Sequence, residues 1–167
     1  QRQMCIRDRV KSPAEHVVGL MRLVEDFQYP RWGIREIALE CRYMGQDLLN
    51  PPSVEGWHTG KEWIDTGILV ERINFAAGQV GDTTKPGVQK LIARLRTMGE
   101  LSPEDFVTAS LDLLGPLDVS DATREALLTF ARKGGNLQFS GDDDSASEQR
   151  VAELLQLIVA AREFQLV

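Results

Sequence analysis

Two adjacent prolines, Pro51 and Pro52, fix the first landmark in this chain. Each removes a backbone donor and pushes the residue before it toward extended conformation, so no helix passes Asn50. Behind them Ile34, Ile37, Ala38, Cys41, Met44 and Leu48 recur at three-and-four spacing, the pattern of a helix buried along one stripe. Beyond Gly60, the residues Trp63 or Ile64, Ile68, Leu69, Arg72, Ile73 and Ala76 repeat that spacing and predict a second helix starting near Lys61. Between the two lies PPSVEGWHTG. A plain solvent loop needs neither Val54 nor Trp57, so both are expected to be pinned to the body of the domain. The Trp57 indole is read as a buried anchor rather than a stacking platform. Gly56 and Gly60 then supply backbone angles closed to other residues.

The remaining segments punctuate in the same way. Ser12, Pro13 and Glu15 form a helix entry, with Ser as N-cap, Pro at the first helical position and Glu able to reach back to the cap. Val17, Leu20, Met21, Val24 and Phe27 define the buried stripe that follows, His16 lies beside it as a boundary histidine, and Tyr29 and Pro30 break the helix. Gly78 is expected to cap the helix after the proline loop. VQKLIARLRTM, FVTASLDLLG after Ser102 and Pro103, ATREALLTFARK after Ser120 or Asp121, and a last stripe of Val151, Leu154, Leu155, Ile158 and Val159 supply the others. The fold class is all-α: an irregular bundle of about six or seven helices joined by short loops, with one ordered Pro/Gly/Trp-rich loop. A chain of 167 residues, 43% hydrophobic and 26% charged, suits one such domain.

Charge and patterning exclude several functions. A net charge of −6 has the wrong sign for a phosphate-backbone binder, so nucleic acid is not an expected partner. No apolar run is long enough to span a bilayer. The first nine residues, QRQMCIRDR, lack periodicity and resemble a translated sequencing adaptor; they read as a non-native leader, with 10–167 as a single helical domain. Cys41, on the apolar face of its helix, is expected in the core rather than as a nucleophile. The DDD run at 142–144 has its acids consecutive, whereas a helix-loop-helix calcium site alternates them, so it is read as an exposed helix entry.

No Gly-rich phosphate loop, Gly-x-Ser-x-Gly elbow or Cys-x-x-Cys pair occurs, and no cofactor is expected. The one arrangement that could hold a divalent cation is His58 with Glu62 and Asp65, if the two carboxylates share a helical face. It has a single histidine, and charges at a helix start usually cap it. Trp57, Trp63 and Tyr43 could instead form an aromatic surface for a carbohydrate or a protein. Arg42 and Arg72, near the edges of apolar faces, could bind carboxylates that hold the loop.

The string GQ-x-L-x-NPPSVEGW-x-x-G-x-x-W-I, followed by ILVERINFA, resembles the C-terminal part of the bacterial family known as domain of unknown function 1800. KSPAEHVVGLMR and the closing REFQLV agree with it. Gly45, Gln46, Asn50, Pro51, Pro52, Gly56, Trp57, Trp63 and Arg72 are read as structural residues of the loop and its supports. His16, His58, Ala161 and Arg162 depart from the family pattern, which weakens any site built on either histidine. The resemblance also implies a longer parent protein with an export signal, hence a periplasmic or extracellular location, and an exported protein as a possible partner. It supplies no catalytic residue. The expected function is a non-catalytic scaffold or binding module that contacts the missing N-terminal part of its parent; the alternative is part of a hydrolase or metal-dependent enzyme completed by that part.

Overall fold

Serine followed by proline writes two of the helix entries in this chain, and a computed structural model that describes residues 9–57, 59–115, 117–141 and 144–166 places helices at both. Seven α-helices occur among the described residues: α1 (Pro13–Leu23), α2 (Ile34–Tyr43), α3 (Thr66–Gly81), α4 (Pro86–Thr97), α5 (Pro103–Leu113), α6 (Asp121–Lys133) and α7 (Ser145–Ala160). Two short 3₁₀ helices, Gly60–Ile64 and Arg162–Gln165, precede α3 and follow α7. The only extended pairings among those residues are isolated bridges, Val10 with Leu166, Ser53 with Gly56 and Leu101 with Leu137. The fold is therefore all-α. No described helix is long and apolar enough to cross a membrane.

The core forms where α7 lies along α3. Ala76 and Val80 of α3 and Leu154, Leu155, Ile158 and Val159 of α7 are buried, each large side chain being worth about 1.5–3 kcal/mol. Val17, Leu20 and Met21 of α1 and Val88, Ile92 and Leu95 of α4 join the same cluster, as does the free thiol of Cys41. Gly87 allows α4 to start directly against the end of α1. Its N–H donates to Val24 O at 2.9 Å, and a Cβ there would lie 2.6 Å from the Val24 backbone.

Four helix boundaries differ from the periodicity. α1 ends at Leu23 and leaves Phe27 outside the helix, because Glu25 adopts a left-handed φ of 53°. Glu25 N–H then donates to Arg22 O and Asp26 N–H to Met21 O, the paired bonds of a Schellman stop. α2 ends at Tyr43, eight positions before Pro51, for the same reason: Gly45 has φ 92°, with Gly45 N–H on Arg42 O and Gln46 N–H on Cys41 O. Leu48 is consequently exposed. The helix after the loop begins at Thr66 rather than near Lys61, which lies in the 3₁₀ turn. It also runs through Gly78 to Gly81 instead of capping there.

An inward-turned ion pair fixes the connector between α1 and α2. Lys85 Nζ donates to Asp26 Oδ2 at 2.8 Å and to Gln79 Oε1 at 2.6 Å, and Arg31 pairs with the other Asp26 oxygen. At the opposite side the chain's first and last described segments close on each other through Lys11 N–H on Gln165 O, 3.0 Å.

Candidate functional site

The first turn of α1 needs partners for its free amides, and the loop supplies one. Pro13 has no N–H to satisfy, Ala14 N–H donates to Gln46 Oε1 at 2.8 Å, and Glu15 N–H to Ser12 Oγ at 3.3 Å. Glu15 Oε2 returns to Ser12 N–H at 2.8 Å while the carboxylate is gripped by both Nη atoms of Arg9. Those bonds hold the Glu15 carboxyl down at about 2.

Gly45 turns Gln46 into that position, and Trp63 and Ile68 pack against Gly45. Trp63 is buried. Trp57 is half-buried, with Nε1 donating to Asp47 O at 3.2 Å, so its ring is tied to the loop's own backbone. Asn50 closes a turn through its N–H on Asp47 O and its side chain on Asp47 Oδ2, both 3.1 Å. Pro51 and Pro52 lead exposed into a tight turn from Ser53 to Gly56, where Gly56 has φ 100°. Val54 occupies the tip of that turn and is fully exposed, against the expectation that it would pack on the domain. A turn of four residues is too short to fold its apex back onto the body.

Glu62 accepts from Thr59 N–H at 3.3 Å as part of a capping box, and Asp65 is the N-cap residue of α3; both are exposed. The third member of that candidate trio, His58, lies outside the described residues, as do Asp142 and Asp143 of the acidic run. Among the described residues no group of three His, Cys, Asp or Glu side chains could hold a metal ion. Tyr43 is exposed, and Arg42 reaches Asp47 at 3.9 Å.

The unexpected feature is the interior around Arg72. It has no exposed surface, and its Nε donates to Gln165 Oε1 at 2.9 Å. Its Nη1 and Nη2 have no hydrogen-bond partner. Burial pulls the guanidinium down to about 10. His16 is buried beside it, not at a boundary, with Nε2 3.2 Å from Arg72 O and Nδ1 unpartnered. Because a carbonyl can only accept, Nε2 carries the proton of the neutral ring. Burial, then the Arg72 charge, lowers the imidazole to about 4. Lys11 closes the region, donating to Phe164 O at 2.7 Å and lying 4.3 Å over the Phe164 ring, with its ammonium shifted down by burial and by Arg72. The burial of Arg72 has a signal in the sequence, since it stands on the Leu69, Ile73, Ala76 stripe; the burial of His16 next to Val17 has none as clear.

These groups are held by local structure and by one another, and no nucleophile with an adjacent base is among them. No curated protein and no solved structure matches the chain. The family model described as protein of unknown function (DUF1800) matches residues 1–166, and the chain belongs to that family.

Proposed function

We propose that this domain is a non-catalytic binding module of an exported bacterial protein, and that α2 with the segments just before and after it is its contact surface, foremost for the preceding part of its own parent chain. The supporting observation is where the apolar surface lies. Tyr29, Trp32, Ile34, Tyr43, Leu48, Leu49 and Val54 are all exposed, with Trp32 at 99% and Leu49 at 96%, all within one short stretch of sequence. Elsewhere the exposed large apolar residues are scattered singly, as Val18, Val70, Met98 and Leu157. A run of exposed aromatic and aliphatic side chains is the composition of a protein contact. Arg35, Glu36, Arg42 and Asp47 intersperse both signs of charge along it, which suits a protein surface better than an anionic lipid or nucleic acid.

The test is co-purification of this chain with the preceding region of a full-length family member, expressed as a separate polypeptide. The complex is expected with the native sequence and lost on Trp32→Asp with Leu49→Asp, while the melting temperature of the isolated domain is unchanged. A complex indifferent to both substitutions contradicts this surface, and turnover of a hydrolytic substrate by the chain alone contradicts the non-catalytic reading.

A further inference from the structure

A partly open cavity of about 490 Å³ lies between the 3₁₀ turn Gly60–Ile64, α3 and the C-terminal turn. Its walls are Val10, Ile64, Leu69, Ile73, Ala160 and Leu166, all apolar. The charged residues in its lining are Lys61 and Arg162, both exposed and both cationic; among the described residues no carboxylate lines it. Neither cation has a hydrogen-bond or ion-pair partner among the described residues. The nearest acids in sequence are turned elsewhere: Glu62 accepts from Thr59 N–H, and Glu163 accepts from Ser120 N–H and the Thr123 hydroxyl. Gln165, the remaining polar residue of the wall, is held from behind by Arg72, so a third positive charge stands just outside the pocket in a low-dielectric interior. This concentration of positive charge occurs on a chain whose net charge is −6.

We propose that this cavity binds a free medium-chain acyl carboxylate, its tail among Leu69, Ile73 and Leu166 and its head between Lys61 and Arg162. An apolar enclosure with a few convergent polar groups is the general form of a small-ligand site, and its volume falls in the usual range of about 300–1,000 Å³. A protein partner would need a far larger open surface, about 800 Å² on each side. Two cations with no partner and no acid beside them among the described residues select an anionic head, and the carboxylate can take charge-assisted bonds from both. The site is separate from the α2 surface and does not depend on it.

The experiment is calorimetric titration of the intact chain with decanoate below its micelle concentration, against decyltrimethylammonium, which carries the same tail and the opposite charge. Decanoate is expected to saturate at one site and the ammonium amphiphile to show no saturable heat. Lys61→Glu with Arg162→Glu, both exposed and therefore compatible with folding, is expected to weaken decanoate about tenfold or more. Ile73→Trp fills the cavity and is expected to remove binding, with a thermal melt confirming that it remains folded. No saturable decanoate binding, equal binding of the cationic amphiphile, or full affinity in the double-charge variant would each overturn the assignment.

Discussion

Arg72 Nε and Gln165 Oε1 meet at 2.9 Å across 93 positions of sequence, and neither side chain has appreciable contact with solvent. Gln165 completes the link by donating its Nε2 to Val159 O at 3.1 Å. The bond therefore clasps the last turn of the chain to the middle of α3. The same guanidinium keeps two Nη atoms unpartnered, so its charge is buried at a cost of several kcal/mol. The two partners should respond to substitution in opposite ways. Arg72→Met removes the charge with its desolvation cost and is expected to fold with a stability within about 1 kcal/mol of the native chain or above it. Gln165→Leu leaves Nε unpaired as well and is expected to cost about 2 kcal/mol. Urea unfolding of both variants reads the difference.

His16 gives a pH dependence with a defined sign. Its folded-state value of about 4 lies below the ordinary 6.5, so the unfolded chain binds the extra proton between those limits. Its contribution is fully present above pH 6.5 and is lost as pH falls toward 4, amounting to about 3 kcal/mol. Glu15 and Glu163, held near 2, lose their contributions only below the ordinary carboxylate range of about 4.5. Denaturant melts from pH 7.5 to 4 should show a decline that His16→Gln largely removes. A native chain with flat stability across that interval would contradict the neutral buried imidazole.

Two glycines should behave in opposite senses. A Cβ at Gly87 runs into the Val24 backbone, which cannot move aside without shifting α4, so Gly87→Ala is expected to cost about 2 kcal/mol or more. Gly78 lies inside α3 with nothing within 4 Å of a Cβ, and Gly78→Ala is expected to stabilise by about 0.5–1 kcal/mol. Thermal melts of the pair measure both signs.

Gln46 acts as a second cap for α1, so Gln46→Ala should cost about 1 kcal/mol, comparable to loss of an N-cap. Ser12→Ala should cost a similar amount, and because both serve one helix end, the double variant should fall short of or exceed the sum rather than match it. Chemical denaturation of the two single variants and the double variant gives the coupling.

The sequence made helix entries legible because serine, proline and glutamate carry a mechanism at fixed offsets, as at Ser12, Pro13 and Glu15. Helix exits were less legible. Glu25 takes the left-handed position that glycine usually marks, so the periodic residues Val24 and Phe27 concealed the stop before them. At Gly45 the glycine was present, but the prolines six residues on drew the boundary toward themselves. The apolar spacing that placed Leu48 on a helix reflects loop residues that follow by chance in register. Hydrophobicity alone predicts burial of Val54, whereas a four-residue turn holds its apex in solvent. Arg72 showed the opposite pattern: its place on an apolar stripe was visible, but its missing partners depend on segments distant in sequence.

The most direct measurement of the central claim is hydrogen exchange on this domain, alone and in complex with the preceding region of a family member. Slowed exchange confined to residues 29–57, with α5 and α6 unchanged, is the expected result. Unchanged exchange across 29–57 in a formed complex, with new protection on α5 or α6 instead, would contradict it.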